Sequence, residues 1–214
     1  TGVGNVKVGN DADVAALGEV WKGGGRGFDS MVMVTIGTGV GGGIIYRGKI
    51  LNGSIGAAGE IGHIKIRPMA KEVCGCGRRG CLECYASATG IVRIAKGGVV
   101  DTKNSLQNSY LSGKDITAKD VFDGAKQGDA YCLEVVENFG EFLGIGLANI
   151  ATVIDPEAFV IGGGVSKAGS TVIDVVKKHY EENVMEALKA KEFKLAELGN
   201  DAGIYGAVRL ILHR

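Results

Sequence analysis

The chain has 214 residues, 45% hydrophobic and 22% charged, which is the composition of a globular protein with one good core or two small ones. Lys plus Arg and Asp plus Glu number 24 each, so no excess charge points to nucleic acid or a membrane surface as partner, and no apolar run approaches the roughly 20 residues of a membrane span. No secretory signal opens the sequence, and three of the five cysteines cluster, which suggests a metal in a reducing, cytoplasmic compartment rather than a disulfide framework.

Val6-Lys7-Val8 reads as a short strand. A helix follows, with Val14, Leu17, Val20 and Trp21 on one face. Asn10, Asp11 and Asp13 crowd its start. Capping needs one such residue, so one of the carboxylates is read as facing a substrate. Met31-Val32-Met33-Val34 reads as a buried strand. Gly37-Thr38-Gly39-Val40-Gly41-Gly42-Gly43 then forms a bend, followed by strands at residues 44–46 and 49–51 around an Arg47-Gly48 turn. A hairpin, not a helix, follows these glycines, which excludes the Walker and Rossmann patterns. Backbone N–H groups of such a bend can face an anion, with the Thr38 hydroxyl as a further donor. The bend alone fits a hairpin without ligand equally well.

Glu60 and His63 lie in a glycine-rich loop before the alternating strand Ile64-Lys65-Ile66. Beyond them come Cys74, Cys76 and Cys81, spaced by glycines and arginines. Three thiols this close, with His63 as the nearest upstream imidazole, make a Cys3His set for a structural zinc ion. Reduced thiols, or one disulfide and a thiol, are the other readings. Cys84 and Cys132 read as core. Residues 82–96 read as one helix, and 97–114 as a loop with a partial helix. Thr117 to Asp120 opens a helix as a capping-box variant. Gly128-Asp129 recaps a long helix that Asp155-Pro156 ends. Residues 158–161 form a buried strand, and Gly162, Gly163 and Gly164 turn it into the next helix. That second glycine turn suits a ribose or a flat ring, or is a plain tight turn. A charged amphipathic helix over 172–188, an edge strand near Lys194 and a closing helix over 201–213 complete the chain.

Five segments, in order, carry a resemblance: Asn10-Asp11-Ala12; Gly37 through Gly43; Glu60-Ile61-Gly62-His63; Cys74-Gly75-Cys76-Gly77-Arg78-Arg79-Gly80-Cys81-Leu82-Glu83; and Ile161-Gly162-Gly163-Gly164. With them the chain resembles the ROK family of bacterial sugar kinases and repressors, most closely its glucose-phosphorylating members. The resemblance implies an α/β, actin-like ATPase (ribonuclease H-like) fold, a mixed sheet flanked by helices with a zinc loop inserted at 63–83. It implies ATP-dependent phosphorylation of a hexose, with Asp11 as the catalytic carboxylate and Asn10, Glu60, His63 and Glu83 binding the sugar hydroxyls. Gly37, Thr38 and Gly39 would hold the phosphates of Mg2+-ATP, and Gly162, Gly163 and Gly164 would lie against adenosine. His63, Cys74, Cys76 and Cys81 would bind zinc, so His63 would serve both sites. Asp13 would cap the helix, and a homodimer is implied. Family members begin with another lobe bearing a first phosphate hairpin. Residues 1–214 resemble the C-terminal sugar- and ATP-binding lobe, with about 100 residues missing in front, and the piece alone is expected to be inactive. Asp13 stands where Asn is frequent, and Cys84 where Thr is frequent. The alternative is a sugar-responsive repressor of the same family. A third reading is a zinc-stabilised binding domain without catalysis.

Overall fold

The computed structural model describes residues 6–97, 100 and 102–212. Five strands form one mixed sheet in the order β3-β2-β1-β4-β5. They are β1 (Met31–Ile36), β2 (Val40–Tyr46), β3 (Lys49–Ile50), β4 (Ala158–Gly162) and β5 (Glu192–Leu195). β1 pairs antiparallel with β2 and parallel with β4, and β5 is a parallel edge strand on β4. Side chains alternate across a strand, so the sheet has two apolar faces. Met31 and Met33 pack with Ile45, Ala158 and Val160 against Ala16 and Leu17. Val32, Val34, Ile36, Phe159 and Ile161 belong to the larger core on the other side.

Helices α1 (Asp11–Lys22) and α7 (Ala202–Leu212) pair with each other, and α1 lies on the smaller face. The larger core holds α2 (Glu83–Ala86), α3 (Ala88–Ala95), α4 (Ala118–Lys126), α5 (Ala130–Ile154) and α6 (Ser170–Asn183). α5 is its axis. The Asp129 carboxylate accepts the Cys132 N–H at 2.8 Å to start it, and Asp155 ends it in the left-handed conformation, φ 50°, before Pro156. Its 25 residues span about 37 Å. Cys84 and Cys132 are buried, as the sequence suggests.

Several boundaries differ from the sequence reading. Val6 and Val8 are 72% and 93% exposed and form no strand, because no described strand lies beside them to complete a ladder. Residues 64–66 make one isolated bridge, Lys65 to Cys81, rather than a strand. The helix expected over 82–96 breaks at Ser87, which leaves helical geometry and caps α3 by accepting the Gly90 N–H at 2.9 Å. The helix expected over 172–188 ends at Asn183; Val184 turns extended, and a separate 3-10 turn covers Glu186–Leu188. The loop at 97–114 carries a 3-10 turn at Leu106–Asn108; residues 98, 99 and 101 of that reading, and His213 of the closing helix, lie outside the described residues.

Candidate active site and metal centre

Two glycine turns stand side by side at one edge of the sheet. β1 and β4 run parallel with Thr35 opposite Gly162, so the turns that follow them, residues 37–39 and 162–164, leave the sheet together. In open α/β sheets this carboxyl edge is where ligands bind. The bend after β1 is narrower than the sequence suggests. The Gly37 N–H donates to Gly39 O at 3.0 Å, Thr38 is exposed at the tip, and the Gly37 carbonyl accepts the Ala88 N–H of α3 at 2.8 Å. Gly163 has φ +84°, and a Cβ there would lie 2.6 Å from Ile36 O, so only glycine brings the second turn this close to the end of β1. Gly164 lines a cavity of about 380 Å³ between this turn and the first turns of α4, with Thr117, Phe122 and Val165 in its wall.

Gly41, Gly42 and Gly43 are not part of the bend. They belong to β2, and the reason is packing. A Cβ on Gly43 would lie 2.5 Å from Ala12 O, and one on Gly42 would lie 2.7 Å from Gly59 O and from Ile61. The bare strand lets the start of α1 and the 59–62 segment settle on it together. That convergence brings the acidic start of α1 towards Glu60. Asn10 caps α1 with its Oδ1, 2.9 Å from the Ala12 N–H. Asp11 is exposed, and its Oδ1 accepts the same Ala12 N–H at 2.8 Å. Asp13 does not cap. It is 4% exposed, and burial, then the nearby charges of Glu60 and Asp11, raise its pKa. Sequence reasoning missed this burial; its cause is the 59–62 segment, far away in the chain.

The metal centre is a knot of short turns. Ile66 and Arg67 N–H groups donate to Gly80 O, and Leu82 N–H donates to Ile64 O, so His63 and the cysteines share one platform. The side chains of His63, Cys74, Cys76 and Cys81 place ligand atoms within 4.8 Å of one another. Cys74 Sγ is 3.5 Å from His63 Nδ1, and Cys76 Sγ is 3.7 Å from Cys81 Sγ. A tetrahedral zinc ion with ordinary Zn–S and Zn–N bonds separates its ligands by about 3.6 Å (S to N) and about 3.8 Å (S to S). The donor set and its spacing therefore fit zinc. Hydrogen bonds from Arg78 hold the Cys76 thiol down at about 6, poised as a thiolate, whereas burial and Glu83 push Cys74 up.

With Nδ1 turned to the thiols, His63 Nε2 faces Glu60, 3.9 Å from its Oε2. Glu83 spans the gap to the first turn. Its Oε1 is 2.8 Å from Cys74 Sγ and 3.6 Å from His63 Nδ1, and its Oε2 lies 2.8 Å from where a Cβ on Gly39 would stand. One open cleft of about 360 Å³ is thus lined by Thr35, Gly37, Gly39, Glu60, His63, Glu83 and Gly163. Asn10 and Asp11 do not line it, and neither do Thr38, Gly162 and Gly164. Thr35 was not singled out in the sequence; it reads there as an ordinary strand residue.

The ROK family model matches residues 4–214. The glucokinase of Halalkalibacterium halodurans is 50% identical over 208 residues, which cover 96% of this chain and 63% of that protein. The glucokinase of Thermotoga maritima is 37% identical over 207 residues, 96% of this chain and 65% of that protein. The crystal structure of a ROK family glucokinase from Streptomyces griseus in complex with glucose and AMPPNP superposes with a TM-score of 0.83 at 36% identity, over 97% of this chain and 68% of that one. The chain thus spans less than two thirds of the length of these two curated relatives. The mixed sheet flanked by helices is the actin-like fold of the ROK sugar kinases.

Proposed function

Because the chain belongs to the ROK family, we propose that it serves the ATP-dependent phosphorylation of a hexose at its primary hydroxyl, with glucose as the substrate. One observation carries this reading: Glu60, His63 and Glu83 converge on the same cleft as the two glycine turns. Hydroxyl-binding carboxylates and an imidazole beside two backbone turns suit a sugar next to a polyphosphate. The 50% identity to a glucokinase favours glucose. The 50% identity to a glucokinase weighs against the repressor alternative; the fold does not, since a ROK family transcriptional regulator shares it.

Asp11 is the catalytic carboxylate in this reading. Phosphoryl transfer has a loose transition state, so the carboxylate orients the sugar hydroxyl in line with the γ-phosphate and takes its proton late. Its exposed side chain accepts its neighbour's N–H and can turn to that task. Asn10, Glu60, His63 and Glu83 bind the remaining hydroxyls. Gly37, Thr38 and Gly39 receive the phosphates of Mg2+-ATP, and Gly162, Gly163 and Gly164 the adenosine beside the 380 Å³ cavity. Developing charge on the phosphate is met by backbone N–H groups and the magnesium that comes with ATP. A zinc ion held by His63, Cys74, Cys76 and Cys81 supplies rigidity rather than chemistry. His63 bound through Nδ1 has one tautomer, and its Nε2–H becomes a preset donor to the sugar.

Residues 1–214 form the sugar- and nucleotide-binding lobe in this account. A reducing cytoplasm supplies ATP and keeps the thiols available to the metal, and the family resemblance favours a homodimer. Among the described residues no helix is long and apolar enough to cross a membrane. The test is glucose-dependent ADP formation by the complete protein with Mg-ATP and zinc. Turnover that requires glucose, and that Asp11→Asn abolishes, supports the proposal. Glucose binding without turnover under any phosphate donor refutes it in favour of a sensor.

A further inference from the structure

Asp13, in the first turn of α1, is a titratable group to which the reaction above gives no role. It is 4% exposed, and among the described residues its Oδ1 is the buried side-chain oxygen with no hydrogen-bond partner. Capping does not explain it, since Asn10 fills that place. Its Oδ1 lies 3.7 Å from where a Cβ on Gly59 would stand, and the same point is 2.7 Å from Gly42 O. Gly59 is in the left-handed region, φ +90°, and hands the chain on to Glu60. Asp13 therefore sits under the segment that presents Glu60. The charged groups around it are Asp11 on its own helical turn, Glu60 on that segment, and Lys7 and Lys49 across the cavity it lines, Lys7 donating to Leu210 O. A carboxylate oxygen buried without a donor is costly, and two further carboxylates beside it raise the cost; the neutral acid avoids both.

We propose that Asp13 is a positioning residue for Glu60: packed beneath Gly59, its protonated form lets the 59–60 segment rest against α1, and its ionisation drives that segment away. The proposal rests on the sugar-kinase reading only for the role given to Glu60. Loss of the Asp13 proton puts a third negative charge beside two others, in a site whose backbone is already at contact distance. Glucose binding through Glu60 then weakens.

The experiment compares the complete protein with Asp13→Asn, which has the same shape and cannot ionise, and with Asp13→Ala. Glucose KM and kcat are measured from about pH 4 to about pH 8, a range that opens at the ordinary carboxylate pKa and extends above it. The expected result is a parent KM that rises severalfold as pH climbs through the raised pKa of Asp13. In Asp13→Asn that rise disappears, and in Asp13→Ala KM is high throughout. A KM in Asp13→Asn that climbs with pH as the parent's does overturns the proposal, and so does an effect confined to kcat. A second readout needs no sugar turnover. After correction for the intrinsic rise of exchange with pH, protection of the amides at residues 59–62 should fall with pH in the parent and not in Asp13→Asn. A parent that shows this difference but no glucose turnover would refute the assigned substrate and leave the positioning role standing; identical exchange in both proteins would refute the role itself.

Discussion

Glu19 offers the most direct energetic test of how α1 is held. It is a fully buried carboxylate at the trailing end of the helix whose first turn carries Asn10, Asp11 and Asp13. Its Oε2 accepts the N–H groups of Gly24 at 2.8 Å and Glu197 at 3.1 Å, and its Oε1 accepts that of Leu198 at 2.9 Å. The side chain thus ties α1 to the connection between β5 and α7. Hydrogen bonds to a charged acceptor contribute about 1.5–3 kcal/mol each, and three would sum to roughly 5–9 kcal/mol, comparable to the whole stability of an ordinary domain. Glu197 is exposed and Gly24 and Leu198 half-buried, so in Glu19→Ala water recovers part of what their N–H groups lose. The expected net loss is about 3–5 kcal/mol, a third or more of ordinary domain stability. Glu19→Gln keeps one acceptor oxygen but turns an NH2 toward a donor, and should lose about 2 kcal/mol. Urea unfolding followed by circular dichroism measures both, with an unchanged m-value as the sign that the same surface unfolds. A loss below about 1 kcal/mol for Glu19→Ala would show that the three bonds are not what holds the helix end.

Three further predictions concern other parts of the molecule. Metal analysis should find zinc bound at the cysteine knot; chelation or Cys81→Ser should lower the melting temperature sharply, whereas Cys132→Ser, on α5 and outside the ligand set, should keep the metal. Gly43→Ala places a methyl 2.5 Å from Ala12 O and 2.6 Å from Ala16 Cβ, neither of which can swing aside, so it should cost about 1–3 kcal/mol by lifting α1 off the sheet and, under the proposed function, weaken glucose binding. Thr117→Ala removes one side of a capping box and should cost about 1 kcal/mol near neutral pH. The Thr117 hydroxyl and N–H hold the Asp120 carboxyl below its usual range. That stabilisation is present above the ordinary carboxylate pKa and fades as pH falls through the depressed one. The difference between Thr117→Ala and its parent should therefore shrink in acid, as thermal melts at several pH values would register.

What the sequence disclosed and what it hid divide along the range of the forces involved. The cysteine knot was legible because metal binding is local chemistry: four ligands within twenty residues leave few other uses for their spacing. The β1–β2 hairpin and the capped start of α5 were legible for the same reason, their signals being neighbours in the chain. The roles of Gly41, Gly42 and Gly43 were not. A glycine at a bend and a glycine beneath a helix look alike until α1 and residue 59 are placed on top of them. Asp13 was read as a cap because its position in the helix fits one; its burial depends on Gly59, and no local pattern announces it. Ser87 broke an apolar periodicity that runs unbroken through residues 82–96, where a capping bond and the contact of Ala88 with Gly37 O outweighed helix continuity. Val6 and Val8 had the alternation of a strand, yet a strand also needs a neighbour.

The parallel pairing of β1 with β4 has a consequence in time as well as in space. The hairpin β1–β2 closes across a three-residue turn, a microsecond-scale event. Met31 meets Ala158 only after a loop of roughly 130 residues has been closed, and the entropy of that closure must be met before the contact returns anything. Every partly folded chain that lacks this one registration has the first glycine turn and lacks the second beside it. Site assembly is therefore tied to the least local step in the folding of the sheet. During refolding from urea, secondary structure and even zinc binding at the compact cysteine knot should return first, and nucleotide-dependent signals should return last.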